Sequence, residues 1–434
     1  MYQIEAWSAL RRARRDRRVF ERLSVDRNVW ALGLTSLFTD VGSEMVGTVL
    51  PIYLVLHLGL TPFHYGIVDG LYHGVTALLR LVSGIAVDRS HRCKELALVG
   101  YGVSAVSRLG LLAAGASWPL IAAVVALDRA AKGVRTVPRD VLISLSSRSD
   151  NLATSFGVHR ALDSAGAMLG PLVALGILGA LPEAFDVVFV ASFCASVCGL
   201  GVLTLFVKNA SPMAQTMDDA PRPSPDLRTV LECPGLLRVT VAATMLSAVT
   251  VSDGFIYLVL QREVGFSAGL FPLLYVGTAA CYLMLAVPAG RVADLMGRRT
   301  AFLGGYLCLG LTYGVVMQPG LGVTGLIGCL LLLGAHYALT DGVLMALASS
   351  LLPTARRGTG LAVVTTATSV TRLFASVLFG ALWTQFGLRT GLAVFLTGLL
   401  LAVVMTRFVV RSDAVRGVDL KVDDGHDGDD RGRS

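Results

Sequence analysis

The chain has 434 residues, 54% hydrophobic and 15% charged, with a formal net charge of +7. Soluble domains carry roughly 25% charged and about 45–50% apolar residues. Here apolar stretches of about 20 residues, the length that a hydrocarbon core of ~30 Å requires, recur along almost the whole sequence. A soluble enzyme, a coiled coil and a disordered protein are excluded. Apolar runs that are continuous instead of alternating argue against a membrane β-barrel. The chain reads as an all-α polytopic membrane protein, with no catalytic residues and no cofactor expected.

In chain order, residues 1–28 form a basic segment containing Arg11, Arg12, Arg14, Arg15, Arg17, Arg18, Arg22 and Arg27. No aromatic-interleaved basic surface or zinc spacing accompanies them, so nucleic acid is not an expected partner. A basic segment beside a first span fixes orientation or touches anionic lipid. The apolar run at 29–57 is too long for a signal-peptide core and lacks a small-residue cleavage site, so it reads as a retained helix. Further helices are expected at 64–87, 95–115, 118–141, 154–180 and 184–207. A second set follows at 236–261, 269–290, 300–318, 321–352, 359–384 and 388–410.

Between the sets, 208–235 mixes Pro212, Pro221, Pro223 and Pro225 with Asp218, Asp219 and Arg222, the composition of a solvated linker. The expected layout is therefore twelve spans in two bundles, 29–207 and 236–410, followed by an acidic, disordered tail at 411–434. Of the seven cysteines only Cys194 and Cys198 stand four apart, which reads as helix packing, without a disulfide framework or an assigned metal.

Basic residues in alternate loops test the orientation. One side holds the N-terminal arginines, then Arg89, Arg92 and Lys94, then Arg139 and Arg148, then Lys208, Arg222 and Arg228. It continues with Arg291, Arg298 and Arg299, with Arg356 and Arg357, and with Arg411 and Arg416. The other side shows only Arg262 and Arg389. Both termini are expected in the cytoplasm, with the protein in a bacterial cytoplasmic membrane or one derived from it.

Ionisable side chains inside the spans are the candidate functional residues, because each costs about 2.5–3.5 kcal/mol at mid-bilayer and needs partners or water. Asp40 and Glu44 share a face of the first helix with Ser36 and Gly47. Asp69, His73, Thr76 and Arg80 form a stripe on the second. The fourth presents Asp128, Arg129, Lys132, Arg135, Arg139 and Asp140, and the fifth His159, Arg160 and Asp163. The second set is sparser: Asp253, His336, Asp341 and Arg372. Asp40, Glu44, Asp69 and His73 lie too far from the basic side to snorkel, and carboxylates or imidazoles there can exchange protons or hold a cation. Their protonation is expected to relax pairing with Arg80 or Arg129. Arg135, Arg139 and Asp140 have a simpler reading near the cytoplasmic end, as part of a gate or a lipid contact.

Two loops repeat a pattern. Gly84, Asp88, Arg89 and Arg92 sit between the second and third helices, and Gly290, Asp294, Arg298 and Arg299 between the eighth and ninth. Both read G-x-x-x-D-x-x-x-R, in which Gly allows close helix approach while Asp and Arg lock neighbouring helix ends together. On these paired loops, at matching places in the two halves, residues 29–410 resemble the major facilitator superfamily of secondary transporters. His91 stands where that family usually has Gly. Arg129-Ala-Ala-Lys132-Gly133 is similar to the family's R-x-x-x-G element, whose Arg is implicated in proton coupling. Gly166-Ala-Met-Leu-Gly170-Pro171 looks like its G-x-x-x-G-P element, associated with exporters, although the glycines usual after the Pro are absent. Independently of the family, such small-residue spacing permits close packing of membrane helices.

The resemblance implies two six-helix pseudo-symmetric bundles that move a small solute or ion by alternating access, as a monomer. Export driven by protons is the first reading, since no ATP-binding P-loop is present. A permease for iron, nickel or manganese, or a metal chelate, is the second. Thr35-Ser-Leu-Phe-Thr-Asp40-Val-Gly-Ser-Glu44-Met45 is similar to metal-handling members of the superfamily, and the tail carries His426 among Asp residues. A sensor or scaffold engaging partners through its tails is the third. Gly265-Phe-Ser267-Ala-Gly269 and Gly320-Leu-Gly322-Val-Thr-Gly325 match hydrolase and dinucleotide patterns, but they fall in turns between apolar helices without the strand–turn–helix context those chemistries need.

Overall fold

A computed structural model describes residues 25–90, 92–147, 151–209, 232–353 and 357–409. The arginines before Arg27, most of the 208–235 linker, Arg148, Arg356 and the 411–434 tail lie outside the described residues, as do the side chains of Asp88 and Arg89.

The helices are α1 (Arg27–Ile52), α2 (Pro62–Ser90), α3 (Cys93–Ala114), α4 (Trp118–Ser146), α5 (Leu152–Ala180) and α6 (Phe185–Phe206), then α7 (Pro234–Ser247) and α8 (Asp253–Val264). They continue with α9 (Pro272–Met296), α10 (Arg298–Val316), α11 (Val323–Ser350), α12 (Arg357–Phe386) and α13 (Leu388–Val409). Helix occupies most of each stretch in which the hydropathy predicts it, with one internal break described below. By length and composition eight segments can cross a membrane, α1 with its extension among them, while α4, with six charged side chains, cannot be counted with them.

Local chemistry sets the boundaries. The Asp26 carboxylate accepts the Asn28 amide at 2.7 Å and caps α1. At its other end Pro51, which has no N–H to give, is followed by a wider π-helical turn, Tyr53–His57. Gly297, at φ 89°, turns the chain between α9 and α10 in a single residue.

One predicted element is corrected. The stretch 236–261, expected as one helix, is two, separated by residues 248–252. The polar Thr250 and Ser252 sit at the break, and a buried tyrosine satisfies it. Tyr313 on α10 donates its hydroxyl to the Val249 carbonyl (3.2 Å) and accepts the Val251 amide (2.7 Å). Backbone groups opened inside a membrane protein must find such internal partners. Gly265 and Gly320, from the two pattern matches set aside above, both stand in turns at positive φ.

By contact the chain divides into two compact units. One comprises Met1–Leu50 and Leu78–Ala220; the other comprises Pro51–Ala77 and Pro221–Ser434. The division passes through α1 and α2, so the 51–77 hairpin groups with the second half of the sequence. In the first unit the core gathers Leu32, Tyr101, Leu142, Ile143 and Leu203. Glycines let its helices meet there. A Cβ on Gly170 would stand 2.8 Å from the Val41 carbonyl and 2.7 Å from Glu44 Cβ, and one on Gly166 would stand 2.9 Å from Leu37 Cα. Gly199 faces Thr35 and Thr39 in the same manner. In the second unit Gly66, Gly70 and Gly74 of α2 lie against Ser376 and Leu373 of α12. Small residues at this spacing are the usual means by which membrane helices approach. Leu205, Leu295, Phe206 and Phe408 are among the large apolar side chains left on the outside.

Candidate functional site

The charged residues of the first unit form two connected groups. In the larger, Asp40 of α1 is buried and meets two cations of α4: Lys132 Nζ at 3.6 Å and Arg135 Nη2 at 3.5 Å. Lys132 and Arg135 are three residues apart and so share a helix face. Lys132 also lies 4.0 Å from Glu44, one turn further along α1. The Arg135 guanidinium carbon lies over the Tyr101 ring of α3, 4.4 Å from its centroid. Arg139, one turn on from Arg135, holds Asp140 at 2.9 Å and Asp163 of α5 at 3.5 Å, and donates to Ser36 at 3.3 Å. His159 is buried, its Nε2 4.0 Å from Asp163.

These residues, with Arg80, Thr136, Phe156 and Arg160, line a cavity of about 280 Å³. The second group is tighter. Asp128 pairs with the neighbouring Arg129 and with Arg108 of α3 at 3.9 Å, and accepts hydrogen bonds from Ser104 (2.5 Å) and Ser107 (3.4 Å). Arg108 completes its contacts on Ser43 of α1 at 2.7 Å.

The second unit has two polar centres. Asp69 of α2 accepts hydroxyls from Tyr65 (3.1 Å), Ser252 (2.9 Å) and Ser376 (2.6 Å), with His73 at 3.7 Å. Above it Tyr65, Phe255, Phe379 and Phe395 form a chain of edge-to-face rings 4.7–5.1 Å apart. Asp253, the first residue of α8 after the break, accepts the Tyr337 hydroxyl at 2.8 Å, and Arg372 interacts electrostatically with Asp253 and Asp341. His336 is buried with Nδ1 3.0 Å from the Gly305 carbonyl and its ring 5.1 Å from Tyr306, a packing arrangement between α10 and α11.

The structure redistributes the expected pairs. Asp40 pairs with Lys132 and Arg135 and Glu44 with Lys132, while Arg129 pairs with the adjacent Asp128 and also acts electrostatically on Glu44. The α2 stripe is divided: Asp69 and His73 belong to one unit and Arg80 to the other. Gly84 and Gly290 do not serve as close-approach residues; among the described residues a Cβ on either would meet nothing within 4 Å. In the second loop Asp294 reaches Arg298 at 4.0 Å across the Gly297 turn. Arg298 bonds the Ala346 carbonyl of α11 at 3.4 Å and Arg299 the Arg407 carbonyl of α13, around a cavity of about 850 Å³. Arg92 stands at the N-cap position of α3 without a side-chain capping hydrogen bond and is exposed.

The sequence reading missed Tyr65, Ser252 and Ser376 around Asp69. The Tyr65–Asp69 spacing of four was a usable signal; hydroxyls in apolar helices give none. No group of three or more His, Cys, Asp and Glu side chains is gathered for a metal ion among the described residues.

Comparison with known proteins agrees with this architecture. The family model described as Major Facilitator Superfamily matches residues 32–258 and 238–427. An uncharacterised MFS-type transporter of Methanocaldococcus jannaschii is 30% identical over 380 residues, covering 83% of this chain and 89% of that protein. An uncharacterised Mycobacterium tuberculosis protein is 30% identical over 292 residues, 64% of this chain and 68% of its own. A variant of the nucleoside transporter NupG superposes with a TM-score of 0.75 at 11% identity, over 88% of this chain and 100% of that one. A variant of the peptide transporter POT superposes at 0.71 with 14% identity, over 91% and 95%.

Proposed function

Because the chain belongs to the major facilitator superfamily and is a membrane transporter of that type, we propose that it moves a small solute outward by alternating access coupled to protons. The observation that carries this reading is the buried Asp40 carboxylate, shared by Lys132 and Arg135. Charges at this depth are tolerated only when paired. A proton arriving on Asp40 cancels its charge and releases both cations, and a packing in which Lys132 or Arg135 is otherwise engaged then gains population. A ligand shifts an equilibrium only by its differential affinity for the two states, and the proton has one here. Glu44, within reach of Lys132, is the second acceptor in this scheme. Asp163 with Arg139 and His159, Asp69 with His73, and Asp253 with Asp341 and Arg372 are further members.

Outward direction is supported by Gly166-x-x-x-Gly170-Pro171, placed where α5 meets α1. The bundles 29–207 and 236–410 are the moving bodies, and the Asp294, Arg298 and Arg299 contacts form one cytoplasmic gate. In this reading the protein acts as a monomer in a bacterial cytoplasmic membrane with both termini inside.

The test is flux in proteoliposomes under an imposed pH gradient, screened over anionic, cationic and neutral solutes. Wild-type protein accumulates its solute only with the gradient, and Asp40→Asn exchanges solute without accumulating it. Gradient-driven accumulation that survives Asp40→Asn overturns the coupling.

A further inference from the structure

The cavity of the first unit indicates the chemical class of the solute. Five cationic side chains line it (Arg80, Lys132, Arg135, Arg139 and Arg160) against three carboxylates (Asp40, Asp140 and Asp163), a surplus of two positive charges. Adding Glu44, which borders the Lys132 end, still leaves one.

The internal pairs do not use up the donors. Arg135 is 3% exposed, yet its Nη1 has no hydrogen-bond partner, and both ring nitrogens of His159, 2% exposed, are without one. Among the described residues Arg80 and Arg160 make no hydrogen bond and no ion pair within 4 Å. A buried N–H left unmatched is costly, and the surplus positive charge stands on the exposed Arg80 and Arg160 at the rim, where it attracts anions; a ligand with negatively charged acceptors answers both. Guanidinium forks match the paired oxygens of a carboxylate or phosphate, and the Arg135 guanidinium already packs against the Tyr101 ring. The cavity, about 280 Å³, is at the small end of ligand sites, suited to a compact solute instead of a drug-sized one.

We propose that this cavity binds a small oxyanion solute, a carboxylate or phosphate, as the transported substrate, with Arg135 and His159 as buried donors and Arg80 and Arg160 at the margin. The assignment of the bound anion as substrate rests on the carrier reading above. It also joins the two halves of the mechanism: an anion that takes Arg135 or Lys132 from Asp40 leaves a carboxylate ready to accept a proton.

The experiment measures binding of labelled succinate and labelled inorganic phosphate to the full chain in phosphatidylcholine nanodiscs, with tetraphenylphosphonium and glucose as the other probes. At least one anion binds, and Arg135→Gln weakens it about tenfold or more, the size of a lost charge-assisted hydrogen bond. Arg80→Gln and Arg160→Gln, at exposed positions whose side chains make no hydrogen bond or ion pair within 4 Å among the described residues, each weaken it severalfold and keep the test valid should Arg135→Gln fail to fold. Anion binding unchanged in all three variants overturns the site. Binding of tetraphenylphosphonium or glucose with neither anion overturns the class while leaving the carrier reading intact, as does binding of none of the probes. A rise in melting temperature caused by phosphatidylglycerol in the discs, lost in Arg135→Gln and accompanied by no soluble-anion binding, makes the cavity a lipid-headgroup site and overturns the substrate assignment. An anion that binds but does not cross proteoliposomes removes the carrier reading and keeps the site.

Discussion

The close approach of α5 to α1 permits a quantitative test through Gly166 and Gly170. A Cβ at Gly170 would lie 2.7 Å from Glu44 Cβ and 2.8 Å from the Val41 carbonyl. Non-bonded carbon atoms rest at about 3.5–4.0 Å, so Gly170→Ala drives the helices apart locally by about 0.8–1.3 Å. Gly166→Ala meets Leu37 in the same way. The atoms met are mostly α1 backbone, which cannot swing aside, so each substitution should cost about 1–3 kcal/mol as overpacking does elsewhere. Gly176 supplies the control on the same helix: a Cβ there meets nothing within 4 Å, and Gly176→Ala should be neutral or stabilising by up to about 1 kcal/mol through helix propensity. Thermal unfolding of the three purified variants in detergent reads the difference. Equal stability of Gly170→Ala and Gly176→Ala would refute the argument, since only the proximity of α1 distinguishes the two positions.

Other outcomes follow from single contacts. Asp40→Asn leaves the buried Arg135 without its carboxylate and should cost about 3 kcal/mol, the lower end for a broken buried pair because Lys132 is partly exposed; in a double-mutant cycle with Arg135→Gln the two losses should not add. Tyr313→Phe removes the hydroxyl bridging Val249 and Val251, so stability should fall by about 1–3 kcal/mol, with faster amide exchange at Val251. At Asp69, Ala should be worse than Asn, because Ala strands the Tyr65, Ser252 and Ser376 hydroxyls while Asn still accepts; melting temperatures of the two variants rank them. Ferrous or nickel ions at micromolar concentration should leave the melting temperature unchanged, since no ligand set is gathered for them among the described residues; a saturable rise would restore the metal reading.

The helices were legible because each apolar run is long and the breaks between them are rich in Gly, Pro and charge. The division of α7 from α8 was not: residues 248–252 are mostly apolar or hydroxyl-bearing, and the partner that permits the break, Tyr313, is more than 60 residues away. In the site, helical spacing correctly put Lys132, Arg135 and Arg139 on one face, but periodicity cannot say which carboxylate that face meets. Arg129 shows the limit. It is next to Asp128 in sequence and bonds to it, a pairing that helical periodicity, which looks three and four residues ahead, does not anticipate. Asp69, His73 and Arg80 share a stripe, yet α2 spans both units, and a stripe does not record where its surroundings change.

The crowding of charge on α4 also bears on how the protein is assembled. Between Asp128 and Arg135 four ionised groups occupy two turns; at about 2.5–3.5 kcal/mol each near mid-bilayer, an isolated segment would face a barrier of roughly 10 kcal/mol to entering lipid. Its charged partners on other helices include Asp40 on α1 and Arg108 on α3, with hydroxyls from Ser104 and Ser107, and both helices are synthesised earlier. Pairing with α1 and α3 lowers that barrier, so insertion of α4 is expected to depend on the two earlier helices being beside it when it enters lipid.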